Sequence, residues 1–135
     1  MQAVVDMSET DLSVKECFSD GNFASFMVCT KDSAIRLSMN LGLLKQTKTL
    51  IELAIPSNVK AVENKTQDIK TKLDMTLKVV DVRVGAPTYN RNSQKPEIRF
   101  YSGKKRKHSI QVRLTWSQLA LILNIIEGMS NNVAA

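Results

Sequence analysis

Four consecutive cations and a histidine, Lys104-Lys105-Arg106-Lys107-His108, separate two stretches of alternating polarity. In the first, Ile98 and Phe100 point one way and Arg99 and Tyr101 the other; in the second, Ile110, Val112 and Leu114 oppose Gln111 and Arg113. Side chains on a strand alternate with period two, so this is a hairpin with one apolar face and one basic face carrying an aromatic ring. Such a surface can neutralise phosphates with release of counterions, and an exposed tyrosine can stack on an unpaired base. Arg83, Arg91, Lys95 and Tyr89 are candidates to extend the same surface at its other end. Two plainer readings stay open: Tyr101 packing across the strand, and 104–107 serving only as a solvated hairpin tip or a nuclear-import-like patch.

Other chemistry is not indicated. The single histidine, His108, has no carboxylate in its local sequence, and no phosphate-cradling glycine loop, nucleophile elbow or metal-ligand spacing occurs. No catalytic residue, metal or cofactor is therefore expected, and the chain does not read as an enzyme. Cys17 and Cys29 are expected to be buried thiols rather than a disulfide in an intracellular protein.

The net charge of +6 is unevenly placed. Residues 1–67 carry seven Lys/Arg against eight Asp/Glu, a balance of −1; residues 68–135 carry twelve against five, a balance of +7. A basic half beside a neutral one suggests a polyanion-binding face. With 135 residues and 43% hydrophobic content the chain can form one domain with a real core, and no apolar run reaches membrane-spanning length. No secretory signal is apparent at the start, which leads to an expectation of an intracellular location, whether cytoplasmic, nuclear or organellar.

The elements that must position the hairpin follow from periodicity. Residues 1–11 read as a flexible acidic tail, 12–130 as the domain, and 131–135 as a second tail. Strands are expected over 13–18, 23–30 and 34–39, the last with Ile35, Leu37 and Met39 inward. Asn40 then caps a helix that runs to about Ile55 and stops at Pro56. Residues 57–73 carry one apolar stripe at helical spacing, with a strand over 66–76 as the alternative for its end. From Met75 to Val84 the pattern is β-like, but apolar parity switches between Val79 and Val80, which implies a bulge or burial on both faces. Thr115 and Gln118 form a capping box for a last helix whose C-cap is expected at Gly128. That helix is apolar on more than one side, so its residues Trp116, Leu121, Ile125 and Met129 are expected to meet a second copy in a dimer or tetramer.

Residues 34–52 can be laid on 109–127: Ile35 meets Ile110, Asn40 meets Thr115, Leu44 meets Leu119 and Ile51-Glu52 meets Ile126-Glu127. Chance similarity between any two strand-to-helix units accounts for the match equally well. The C-terminal unit, Glu97-Ile98-Arg99-Phe100-Tyr101, a basic turn, and Ser109 to Leu119, resembles the single-stranded-DNA-binding transcriptional coactivators and their Whirly relatives. The resemblance covers about a third of the chain. It implies a curved antiparallel sheet that grips single strands, helices that build an oligomer, and roles in replication, repair or transcription. It places Arg99, Tyr101, Lys104 to Lys107 and Arg113 on the binding surface. Residues 57–73 have no place in the simple coactivator unit, whereas a duplicated, Whirly-like arrangement would account for the N-terminal half. An oligonucleotide-binding barrel would show similar composition.

The expectation is thus an α+β domain, an antiparallel sheet with helices packed on one side and a strand running into the C-terminal helix, with two similar halves as the arrangement a true duplication would give. It would bind single-stranded nucleic acid, DNA rather than RNA, with little sequence preference, without a membrane. The alternative is a regulatory module that docks on a polymerase or other assembly through its basic face or helices.

Overall fold

A computed structural model describes residues 1–19, 22–65, 75–85 and 95–133. Among these residues eight strands and two α-helices follow in the order β1 (Gln2–Asp6), β2 (Ser13–Ser19), β3 (Phe23–Cys29), β4 (Ala34–Asn40), α1 (Leu41–Ala54), β5 (Met75–Lys78), β6 (Asp81–Gly85), β7 (Glu97–Ser102), β8 (His108–Arg113) and α2 (Trp116–Val133). The architecture is the expected α+β type, built as two four-stranded sheets rather than one. The first sheet has the order β2-β3-β4-β5 and the second β1-β8-β7-β6.

The two sheets share one plan. In each, three antiparallel strands lead directly into a helix, and a fourth strand lies parallel to the third. That fourth strand comes from the other half: β5, which opens the second half, pairs with β4, and β1, which opens the first, pairs with β8. Matching rows run across the sheets as Val14–Val28–Ile35–Met75 and Val82–Phe100–Ile110–Ala3. The equivalence of 34–52 with 109–127 therefore holds in space.

Local chemistry fixes each helix. The Asn40 side chain accepts the Leu43 N–H at 2.7 Å, and Leu43, Leu44, Thr47 and Ile51 give α1 its buried stripe. At the other helix, the Thr115 N–H donates to Gln118 Oε1 at 2.9 Å and the Gln118 N–H donates to Thr115 Oγ1 at 3.1 Å, closing the capping box. The Gln118 amide also donates to the carbonyls of Met7 and Thr10, pinning the β1–β2 connection to the helix start. Beneath the sheets α1 and α2 pack on each other, α1 reaching β6 and α2 reaching β2, so each helix supports the sheet of the other half. Phe26, Leu37, Leu44, Ile51, Ile98, Phe100, Ile110 and Leu119 fill the shared core.

Several expectations are corrected. Residues 2–6 are strand β1 and not a flexible tail; they form an edge strand in which Ala3 and Val5 are half-buried while Val4 and Asp6 face solvent. Helix α2 passes Gly128 and continues to Val133, because Met129 and Ser130 are buried beyond the glycine and anchor another turn. Residues 131–133 are accordingly helix rather than tail. Residues 57–65 are not helical. Val62 donates its N–H to the Ser117 carbonyl and Lys65 to that of Leu12, while the Asn64 side chain accepts the Val14 N–H and donates to the Val14 carbonyl, both at 2.9 Å. The segment thus covers the open edge of β2, which an unpaired strand needs. Residues 66–74, including the remainder of the proposed stripe, lie outside the described residues. Cys17 is exposed, and only Cys29 is the buried thiol expected.

Candidate nucleic-acid interface

The hairpin β7–β8 sets the geometry. Its inward residues Ile98, Phe100, Ile110 and Val112 are buried in the core, so Arg99, Tyr101, Gln111 and Arg113 stand on the outer face of the second sheet. Strand β6 adds Arg83 and Asp81 to that face. The outward positions form three rows: Asp81–Tyr101–Ser109, Arg83–Arg99–Gln111 and Gly85–Glu97–Arg113.

In the central row Arg83 and Arg99 are direct cross-strand partners. Side chains so placed start about 5 Å apart, and like charges in that position repel. Among the described residues neither takes part in an ion pair; Arg99 donates to Gln111 Oε1, and the Arg83 guanidinium lies 6.0 Å from the centre of the Tyr101 ring. Arg106 approaches the same ring at 5.8 Å. Arg83, Arg99, Tyr101, Gln111, Glu97 and Gly85 line a shallow concavity of about 220 Å³.

The flanking rows are electrically balanced. Arg113 holds Glu97 at 3.1 Å, and Arg106 holds Asp81 at 2.9 Å. Gln111 donates to the other oxygen of Glu97, which links the arginines of the two strands through one carboxylate and one amide. The tip itself is a single 3-10 turn over Lys104–Arg106, exposed throughout. Gly103 enters it with φ of 83°, and Lys105 and Arg106 both take the left-handed region at φ of 56°. Non-glycine residues there cost about 1 kcal/mol or more each, and the Arg106–Asp81 contact helps hold the turn in that shape.

Arg83, Arg99, Tyr101 and Lys104–Lys107 are thus brought together, with Arg113 at the edge. Lys95 is not part of the cluster: it donates to Ser8 Oγ at 3.0 Å and lies 3.8 Å from Glu9, beside the β1–β2 connection. Arg91 and Tyr89 lie outside the described residues. His108 Nδ1 lies 2.8 Å from the Met1 amino group. Gln111, Asp81 and Glu97 were not expected at the site. The parity of β8 already placed Gln111 outward, whereas Asp81 and Glu97 needed the strand register.

A larger cavity, about 510 Å³, lies elsewhere, among Ser8, Glu9, Asp11, Lys31, Val62 and the start of α2. Its two carboxylates make it a poor receptor for a polyanion, so the arginine face is the better candidate despite its shallowness. No group of three or more His, Cys, Asp and Glu side chains converges among the described residues. Among the described residues no helix is long and apolar enough to cross a membrane.

The expected oligomer contact on α2 is also revised. Leu121 and Met129 are buried inside the chain, at 5% and 0% exposure, because the second apolar stripe of the helix is covered by α1 and β2. Trp116 and Ile125 pack on the core and remain partly exposed.

Comparison with family models, with curated proteins and with solved structures found no match.

Proposed function

We propose that this protein binds single-stranded nucleic acid, DNA rather than RNA, with little sequence preference and without catalysis. The observation that carries the reading is the Arg83–Arg99 pair: two exposed arginines, direct cross-strand partners on an open sheet, neither of which takes part in an ion pair among the described residues. Repulsion between like charges in such a pair is relieved by an anion, and the phosphodiesters of a strand supply anions that a guanidinium fork can grip. Tyr101, next to the pair, offers a ring for an unpaired base, and Lys104, Lys105 and Lys107 add diffuse attraction at the tip. A sheet face cannot enter the major groove as a helix does, whereas splayed bases can lie on it.

Replication, repair or transcription would supply such a strand. The reading includes self-assembly, for which the partly exposed Trp116 and Ile125 are the available part of α2; sedimentation across a concentration series tests it.

The decisive experiment is fluorescence anisotropy of a labelled oligonucleotide, offered as single strand and as duplex across a salt series. Single-strand binding that weakens steeply with salt and is lost in Arg83→Glu and Arg99→Glu supports the assignment. Absence of binding at low salt overturns it and points to an acidic protein as the partner of this face.

A further inference from the structure

Outside the central pair, two arginines of this face are each held by a carboxylate. Arg106 is bound to Asp81 and Arg113 to Glu97, with the arginine side chains 49% and 42% exposed. These carboxylates sit where a phosphate would otherwise bind. The four-stranded plan of the sheet does not need them. Asp81 precedes Val82 and Glu97 precedes Ile98; the corresponding residues of the first sheet, Val14 and Phe26, are preceded by Ser13 and Ser25. Both serines are buried, and the first sheet forms the same plan with no carboxylate at either place.

We infer that Asp81 and Glu97 are built-in competitors for phosphate, which occupy Arg106 and Arg113 and so limit how many phosphates one face can neutralise. The inference rests on the single-strand reading above and concerns the regulation of that site. A strand first meets Arg83 and Arg99, which are in no ion pair among the described residues. Each further phosphate must displace a carboxylate from its arginine. Ion pairs this exposed are weak and salt-screened, so the exchange is accessible, yet it holds binding below what four free arginines would give. The device keeps a strongly basic face from holding every polyanion it meets and lets a bound strand leave.

The test is anisotropy with a labelled single strand of about 20 thymidines, from about 50 to 200 mM salt. It compares the unaltered protein with Asp81→Asn and Glu97→Gln, and with Asp81→Ser and Glu97→Ser, which install the residue that the other sheet accommodates. Each substitution is expected to tighten binding about three- to tenfold at low salt. Each should also steepen the dependence of log affinity on log salt by about 0.7, the increment for one more neutralised phosphate on a single strand. Adding Arg106→Gln to Asp81→Asn should return the slope to its starting value. Unchanged or weaker binding by folded variants, when the unaltered protein binds, overturns the competitor role and leaves the single-strand reading standing. No binding by the unaltered protein overturns both.

Discussion

Ile35 and Ile110 occupy the same place in the two halves of the molecule. Each lies on the strand that leads into a helix, each is buried, and each pairs in parallel with a strand borrowed from the other half, Ile35 with Met75 and Ile110 with Ala3. The helices continue the equivalence, with Ile51 and Ile126 both fully buried where α1 and α2 meet the sheets.

Because those two isoleucines fill equivalent parts of one core, Ile51→Ala and Ile126→Ala should each cost about 2–5 kcal/mol. Urea denaturation followed by circular dichroism should show a single transition in both variants. Separate transitions for the two halves would mean that the helices do not unite them.

Asn64 acts as a substitute strand for Val14, its side-chain amide taking both backbone groups at the β2 edge. Asn64→Ala leaves a donor and an acceptor unpaired and should cost about 1–3 kcal/mol. Hydrogen exchange should show faster exchange of the Val14 amide, with little change at Ile110 across the molecule. Uniform acceleration everywhere would indicate that the contact matters only to global stability.

The two thiols differ in environment. Burial pushes the Cys29 thiol above its ordinary value, and Cys17 is exposed. A thiolate is the reactive form, so a thiol reagent at neutral pH should modify Cys17 alone until the protein is unfolded, when both react. Mass spectrometry of the alkylated protein reads this directly.

Asp6 gives a pH dependence with a definite sign. Hydrogen bonds from the Ser8 hydroxyl and N–H, helped by Lys95 and Arg113, hold its carboxyl below its ordinary 3.8. Its contribution is thus present above that value and is lost as pH falls through the lower folded value. Asp6→Asn should reduce stability modestly at neutral pH and flatten the acid limb of a melting-temperature profile below about pH 4. An unchanged acid limb would assign that limb to other carboxylates.

Much of this arrangement was legible in sequence wherever a local rule governs. The Asn40 cap, the Thr115–Gln118 box and the inward parity of Ile98, Phe100, Ile110 and Val112 all depend on residues close in the chain. The parity switch at Val79 and Val80 was visible too, but its cause was not a bulge. Val79 donates to the Ser38 carbonyl in the first sheet and Val80 to that of Tyr101 in the second, so the chain changes sheets between them. Val79 is buried and Val80 is 51% exposed. What stayed hidden depends on distant pairing. The short β1 is a strand only because β8 receives it, and the alliance of Asp81 with Arg106 exists only through the register of β6 on β7. Burial of Leu121 and Met129 likewise required knowing that α1 and β2 would cover the second stripe of α2.

The borrowed strands also set an order of events. Val4 pairs with Gln111, so during synthesis β1 waits for nearly the whole remaining chain before it finds its place, while β2, β3, β4 and α1 can already associate. Contacts this remote in sequence are slow to form. Until they do, the β8 edge that β1 will cover stands open, and the second sheet is the last part of the molecule to be closed.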